Sequence, residues 1–114
     1  MSAGHSPCAS VSNLRDLEQA LQATDNVIAM VYATWCPFCR KVLPVFEQQN
    51  RDQQRHLLLV ADDEERLAEL YDIEIFPTLL LFEKGRVVKR LDGKPGIGLN
   101  DQQIADFIQS CPLP

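Results

Sequence analysis

The sequence predicts an α/β fold in which a central mixed sheet of four to five strands is flanked by helices on both faces. Short apolar runs alternate with segments of helical periodicity, the order typical of parallel strands joined by helices. Two final strands are separated by a short turn, which predicts an antiparallel hairpin. The chain of 114 residues is 46% apolar and 24% charged, a composition that argues for one globular domain and against disorder.

The first elements are a short strand and a helix. Ala9–Val11 is at most a short strand. Ser12 or Asn13 is placed to cap the helix that follows, because both side chains accept hydrogen bonds from the free N–H groups of a first turn. The apolar residues of that helix recur at helical spacing and are Leu14, Leu17 and Leu21.

Two buried strands enclose the second helix. Val27–Ala33 and Leu57–Ala61 are almost entirely apolar, as expected for strands covered on both faces. Between them, a helix is predicted to begin near Cys36 and to end at about Gln53.

Two capping signals predict the remaining helices. Asp62 with Glu65 has the spacing of a capping box, and it predicts a short helix that continues through Leu67 and Leu70. Asn100 with Gln103 has the same spacing, and the helix it predicts presents the apolar residues Ile104, Phe107 and Ile108.

A hairpin lies between these two helices. Thr78–Phe82 and Arg86–Leu91 predict strands, and the short segment Glu83–Gly85 predicts the turn that joins them. Asp92–Leu99 contains three glycines and a proline, which predict a loop.

We expect one domain at residues 9–111, with an N-terminal tail at 1–8 and a C-terminal tail at 112–114. Met1–Ser10 shows neither the basic nor the apolar segment of a signal peptide, and no apolar run is long enough to cross a bilayer. We therefore expect a cytoplasmic protein. Eleven Lys and Arg against sixteen Asp and Glu give a net charge of −5, which argues against nucleic acid or an anionic membrane as a partner.

The four cysteines contain only one close pair, Cys36 and Cys39, so the two-pair spacing of a structural zinc site is absent and no metal is expected. The pair lies where a buried strand leads into a helix. A thiol at a helix N-terminus faces unpaired N–H groups that stabilise its thiolate. We therefore predict Cys36 as the exposed nucleophile and Cys39 as the resolving thiol.

Cys8 and Cys111 stay unassigned. Each is compatible with a bystander role, a terminal disulfide, an intermolecular pair or a regulatory thiol, because their distance in space cannot be inferred from the sequence.

The chain resembles the thioredoxin family from about Ala9 to Gln109. The segment A-T-W-C-P-F-C-R follows the second strand, and I-F-P-T-L-L-L-F precedes a short turn and G-R-V. Cys39 and Pro77 are 38 positions apart, which also fits the family. The resemblance implies the thioredoxin fold and protein thiol–disulfide oxidoreductase activity through Cys36 and Cys39.

The resemblance further implies a cis peptide before Pro77, packed against the active-site disulfide, where it would block metal binding and let the preceding backbone pair with a substrate strand. It implies no cofactor besides the redox-active disulfide, disulfide-containing protein substrates, a thioredoxin-reductase-like electron donor and a monomer. The residues it places at the substrate surface are Trp35, Pro37, Phe38, Phe76, Pro77, Thr78 and Gly93 in the Asp92-Gly93 turn.

Two departures from the family bear on the chemistry. Met30 stands where thioredoxins carry a buried aspartate, and Leu58 stands where they carry a buried lysine, so an acid–base pair that assists the resolving thiol is missing. The spacer Pro37-Phe38 replaces the usual Gly-Pro. We therefore hypothesise a couple more oxidising than the thioredoxin potential of about −270 mV.

Two alternatives to a disulfide reductase stay open. One is a disulfide oxidant or isomerase, which shares the chemistry but works at a more oxidising potential. The other is a non-catalytic domain that uses the same fold to hold a client protein.

Overall fold

The computed structural model describes residues 9–49 and 55–112. Five strands and four helices follow one another along this part of the chain in the predicted order. Their bounds are β1 Ala9–Val11, α1 Leu14–Ala23, β2 Asn26–Tyr32, α2 Pro37–Gln48, β3 Leu57–Ala61, α3 Arg66–Leu70, β4 Thr78–Glu83, β5 Arg86–Leu91 and α4 Asp101–Ser110. None of these helices is long and apolar enough to cross a membrane.

The five strands form one mixed sheet in the order β1-β3-β2-β4-β5. β1 and β2 both pair with β3 in parallel, whereas β4 pairs antiparallel with β2 and with β5. The mixed sheet predicted from the sequence is confirmed. Lys84 and Gly85, both with positive φ, make the turn between β4 and β5, as in the two-residue hairpins whose backbone twist matches that of the strands.

The sheet has a hydrophobic layer on each face. On one face, Leu17 and Leu21 of α1 pack with Leu67 of α3 against alternate residues of the strands. On the other face, Val42 and Phe46 of α2 pack with residues of α4. Because side chains alternate along a strand, β2 supplies both layers at once, which explains why its sequence is continuously apolar.

Helix α2 ends at Gln48, earlier than the predicted end at about Gln53, and residues 50–54 lie outside the described part of the chain. The Gln49 N–H donates to the Phe46 carbonyl at 3.1 Å. This three-residue spacing tightens the last turn and closes the helix.

The capping box predicted for Asp62 and Glu65 is wrong. α3 begins at Arg66 after Glu65, whose φ is +60° and whose side chain makes no capping hydrogen bond. Instead, the buried Asp62 carboxylate accepts the N–H groups of Leu67 and Ala68 at 3.0 and 2.7 Å. The acidic residue does cap the helix, but it reaches across the left-handed Glu65.

The other two predicted caps are confirmed. Asn13 accepts from the N–H of Asp16 at the start of α1. Asn100 and Gln103 form a complete capping box at the start of α4, each side chain accepting from the other residue's backbone N–H. These polar side chains satisfy N–H groups that have no partner inside the helix.

Candidate active site

The candidate site begins where the central strand β2 leads into α2. Cys36 is the N-cap of α2, with extended φ and ψ of −91° and 117°, and Pro37 occupies the first helical position. The Cys36 carbonyl accepts the N–H groups of Cys39 and Arg40 at 3.1 and 3.2 Å. The Cys36 side chain therefore lies at the positive end of the helix, as the sequence predicts.

Cys36 and Cys39 are both free thiols and differ in accessibility. Cys36 is 6% exposed and Cys39 is fully buried. The expectation that Cys36 is an exposed residue is wrong, because both cysteines belong to the hydrophobic cluster that also contains Ala33 and Phe76. The Cys36 thiol donates to the Phe76 carbonyl, with sulfur and oxygen 3.9 Å apart.

The pKa of the Cys39 thiol is raised to about 12, and burial is the largest cause of this rise. The neighbouring Cys36 also contributes to the rise. A hydrogen bond with the Ala33 backbone acts in the opposite direction. None of these causes is a carboxylate. Met30 and Leu58, the positions of the missing acid and base, are both buried in apolar surroundings.

Asp63 holds the segment that precedes Cys36, a role that sequence reasoning missed. Its carboxylate accepts the Thr34 N–H at 2.7 Å and the Thr34 hydroxyl at 2.5 Å, and its carbonyl accepts the Trp35 indole N–H at 3.1 Å. The bonds to Thr34 lower the pKa of Asp63. The sequence contained a signal for this contact, because Asp63 and Thr34 follow neighbouring parallel strands, whose carboxyl ends meet at one edge.

The Phe76–Pro77 peptide is cis, as the family resemblance implies. The Thr78 hydroxyl donates to the Ile75 carbonyl at 2.7 Å and accepts the Gly93 N–H at 3.4 Å. Gly93 lies so close to this turn that an added Cβ would be 2.6 Å from the Pro77 carbonyl oxygen. A glycine is needed there because no side chain fits.

The residues expected at the substrate surface fall into two groups. Trp35 is 53% exposed and Phe38 38%, and Pro37 is also exposed. The buried group consists of Phe76, Pro77, Thr78 and Gly93. The Thr78 side chain is occupied within the turn, so its expected place on the apolar surface is wrong. Trp35 packs edge-to-face on Phe76 with ring centroids 5.9 Å apart.

Cys111 lies apart from the dithiol, in the layer formed by α2 and α4. Its thiol donates to the Phe107 carbonyl at 3.2 Å, and burial raises its pKa. Cys8 lies outside the described residues. Within residues 9–49 and 55–112, no three His, Cys, Asp or Glu side chains cluster as potential metal ligands.

Comparisons with known proteins agree with this geometry. The thioredoxin family profile matches residues 9–110. A thioredoxin of Alicyclobacillus acidocaldarius is 32% identical over 97 residues, which cover 82% of this chain and 92% of the relative. A bifunctional thioredoxin reductase/thioredoxin of Mycobacterium leprae is 29% identical over 91 residues, 77% of this chain and 20% of that protein.

Among solved structures, a mutant thioredoxin from Halobacterium salinarum superimposes with a TM-score of 0.76 at 27% identity, and the match covers 95% of each chain. The family profile spans both cysteines of the Cys-x-x-Cys pair and the turn at Pro77. The chain therefore belongs to the thioredoxin family and is a thiol–disulfide oxidoreductase with the thioredoxin fold.

Proposed function

We propose that the protein reduces disulfides in other proteins, with Cys36 as the attacking thiol and Cys39 as the resolving thiol. The observation that supports these roles is the pairing of a slightly accessible Cys36 at a helix N-terminus with a fully buried Cys39 one turn later. A substrate disulfide therefore reaches only the Cys36 sulfur, and the Cys39 sulfur lies buried behind it.

The cycle exchanges two electrons through sulfur. The Cys36 thiolate attacks one sulfur of the substrate disulfide, whose S–S bond breaks and whose other sulfur leaves as a thiolate and takes up a proton. Cys39 then loses its proton and attacks the Cys36 sulfur. The mixed disulfide breaks, the second substrate thiol leaves, and Cys36–Cys39 becomes the disulfide.

We further propose that a flavoprotein of the thioredoxin-reductase class returns the two electrons, and that the protein works as a cytoplasmic monomer without another cofactor. The relative from Mycobacterium leprae supports this donor, since it is a bifunctional thioredoxin reductase/thioredoxin. The substrate surface in this proposal consists of Trp35, Pro37 and Phe38 together with the backbone of the turn formed by Phe76, Pro77 and Gly93.

Reduction of insulin disulfides by dithiothreitol tests the roles of the cysteines. We expect Cys36→Ser to abolish catalysis. We expect pre-reduced Cys39→Ser, incubated with insulin in the absence of dithiothreitol, to leave a mixed disulfide that mass spectrometry detects. Cys111→Ser is the matched control and should retain full activity, because Cys111 lies in the other hydrophobic layer. Catalysis that survives Cys36→Ser would overturn the proposal.

The direction of the reaction is tested by equilibrating the dithiol with glutathione buffers. A potential near the thioredoxin value of about −270 mV indicates a reductant, whereas one near −120 to −180 mV indicates an oxidant or isomerase. A wild-type protein that binds reduced clients but exchanges no disulfide would instead indicate the client-binding alternative.

A further inference from the structure

Arg90, near the end of β5, connects two segments that form one side of the candidate site. Its guanidinium donates to both carboxylate oxygens of Asp92, from Nε at 2.7 Å and from a terminal nitrogen at 2.8 Å. It also donates to the Tyr71 carbonyl at 2.8 Å and to the Asp72 carbonyl at 3.2 Å. One side chain therefore holds together the chain that follows α3 and the chain that follows β5.

The first of these segments leads into residues 75–78, which we call the cis-proline turn. Tyr71 is the C-cap of α3, and Asp72 has a positive φ of 55°. The carbonyls at the end of a helix have no partner within the helix, so a side chain that binds them also fixes how the chain leaves it. Arg90 thus fixes the point from which the backbone continues to the cis-proline turn.

The second segment packs directly against the same turn. Asp92 is followed by Gly93, whose N–H donates to the Thr78 hydroxyl at 3.4 Å. An added Cβ on Gly93 would be 3.0 Å from the Ile75 side chain and 3.5 Å from the Phe76 carbonyl carbon. A shift of Asp92 therefore moves the backbone that lies against the cis-proline turn.

The cis-proline turn itself contacts the proposed nucleophile. The Cys36 thiol donates to the Phe76 carbonyl, with sulfur and oxygen 3.9 Å apart, and the Phe76 ring packs edge-to-face on Trp35. Cys36 is only 6% exposed, so the surface around its sulfur, including this turn, decides how a large substrate can approach. Both segments that Arg90 holds thus converge on the reacting sulfur.

We propose that Arg90 is a positioning residue for disulfide exchange, which keeps the cis-proline turn in the place that a protein disulfide requires beside Cys36. This inference rests on the proposed function, because it concerns how a substrate protein reaches Cys36. Arginine suits the role because its planar guanidinium presents several N–H donors in a fixed fork, whereas a lysine ammonium lacks that geometry.

Two kinds of disulfide should respond differently to the loss of Arg90. A protein chain joined to Cys36 must lie over the cis-proline turn, because the Phe76 carbonyl oxygen is 3.9 Å from the sulfur. A displaced turn should therefore weaken the binding of a protein disulfide. A small disulfide such as 2-hydroxyethyl disulfide carries no chain and needs only access to the sulfur, so it should react almost as before.

The experiment measures how fast the pre-reduced protein is oxidised by insulin and by 2-hydroxyethyl disulfide. We expect Arg90→Ala to need about tenfold more insulin for its half-maximal rate, less than the roughly hundredfold loss that a misplacement of about 1 Å can cause. The maximal rate and the rate with the small disulfide should change little.

Arg86→Ala is the matched control for Arg90→Ala. Arg86 is an exposed arginine at the opposite end of β5, where it lies across from Glu83 in the hairpin. Its removal should leave the insulin requirement and both rates unchanged. Thermal melts verify that each variant is folded.

Two further variants separate the geometry of the guanidinium from its charge. Arg90→Lys keeps the charge but loses the fork, so it should restore only part of the insulin binding. Asp92→Asn keeps the size of the side chain but loses the bidentate ion pair, so it should raise the insulin requirement in the same direction.

Trp35 fluorescence gives a readout that a loss of stability alone would not change. Trp35 is the only tryptophan and packs on Phe76, so a displaced turn should alter its emission in the folded protein. We expect this change in Arg90→Ala, measured well below the thermal transition, and wild-type emission in Arg86→Ala.

Wild-type insulin requirement and wild-type Trp35 emission in Arg90→Ala would overturn the inference, as would equal losses in Arg86→Ala. Complete restoration by Arg90→Lys would also contradict it, since the charge would then be sufficient. If the wild-type protein exchanges disulfides with neither insulin nor 2-hydroxyethyl disulfide, the proposed function is wrong and the inference falls with it. Normal wild-type activity together with equal behaviour of the two alanine variants rejects the positioning role alone.

Discussion

The reactivity of Cys39 depends on where its sulfur lies. It is fully buried, and burial is the largest cause that raises its pKa to about 12. In the mixed disulfide Cys36 no longer carries a thiol, so its contribution disappears while the burial remains. Met30 gives the protein no carboxylate at the family's usual position to accept the proton. Resolution of the mixed disulfide must therefore wait for a rare thiolate.

We predict that resolution by Cys39 accelerates by about tenfold per pH unit between pH 7 and 9, in proportion to the thiolate fraction of a group whose pKa lies above this range. Rapid-quench measurement of the decay of the mixed disulfide tests this. The first step, measured in Cys39→Ser, serves as the control because it lacks the resolving thiol. A resolution rate that is constant over this range would contradict the prediction.

At the scale of single residues, the sequence was sufficient to identify those functional residues that belong to a short motif. Cys36, Cys39 and Pro77 could be recognised from spacing and resemblance. Asp63 was missed although β2 and β3 were both predicted, because its contact with Thr34 also requires that the two strands are parallel neighbours. Gly98 could not be recognised, because its contact with Phe38 joins segments far apart in sequence.

Among the secondary-structure elements, α3 depends most clearly on one side chain. It spans only Arg66–Leu70, too short to be stable as an isolated helix. The buried Asp62 carboxylate accepts two of its first N–H groups. This places the start of α3 against the carboxyl end of β3, where Asp63 contacts the active-site turn.

We predict that Asp62→Ala lowers the free energy of unfolding by about 2 kcal/mol, because two buried N–H groups lose their acceptor. Urea denaturation measures the change. Glu64→Ala is the matched control: Glu64 forms an exposed ion pair with Arg66, so its removal should change stability by less than about 0.5 kcal/mol. Equal effects of the two substitutions would refute this role of Asp62.

The elements themselves were largely predictable because their signals are local. Short apolar runs between segments of helical periodicity predicted the strands, and Asn13 and Asn100 predicted two helix starts. The start of α3 was misassigned because the sequence does not show that Glu65 adopts a left-handed conformation, which moves the helix start one residue beyond it. The helix end at Gln48 has no glycine or proline to indicate it.

At the scale of the whole molecule, one sheet joins two hydrophobic layers. Cys36 and Cys39 pack in the layer that contains α1 and α3, while the later residues of α2, Val42 and Phe46, pack in the layer with α4. Helix α2 therefore belongs to both layers, and neither can loosen without affecting the dithiol.

We predict that Phe46→Ala lowers the free energy of unfolding by about 3–5 kcal/mol, the usual cost of truncating a fully buried phenylalanine. Trp35 is the only tryptophan and lies next to Cys36, so its fluorescence reports on the site. In Phe46→Ala, the thermal transition followed by Trp35 fluorescence should coincide with the transition followed by far-UV circular dichroism. Both should shift down by roughly 10–20 °C.

Val88→Ala is the control for this substitution, since an exposed site should change stability by less than about 0.5 kcal/mol. Separate transitions for the two probes in Phe46→Ala would show that the layers unfold independently. That result would contradict the shared role of α2.

The two edge strands of the sheet affect how readily the protein aggregates at high protein concentration. An open strand edge is a template for another chain, and proteins limit this hazard with short or charged edges. Within residues 9–49 and 55–112, β1 has only three residues, and β5 carries the exposed cations Arg86, Lys89 and Arg90. Edge-to-edge aggregation is thereby disfavoured at both sides of the sheet, so the protein has little tendency to aggregate through its own strands.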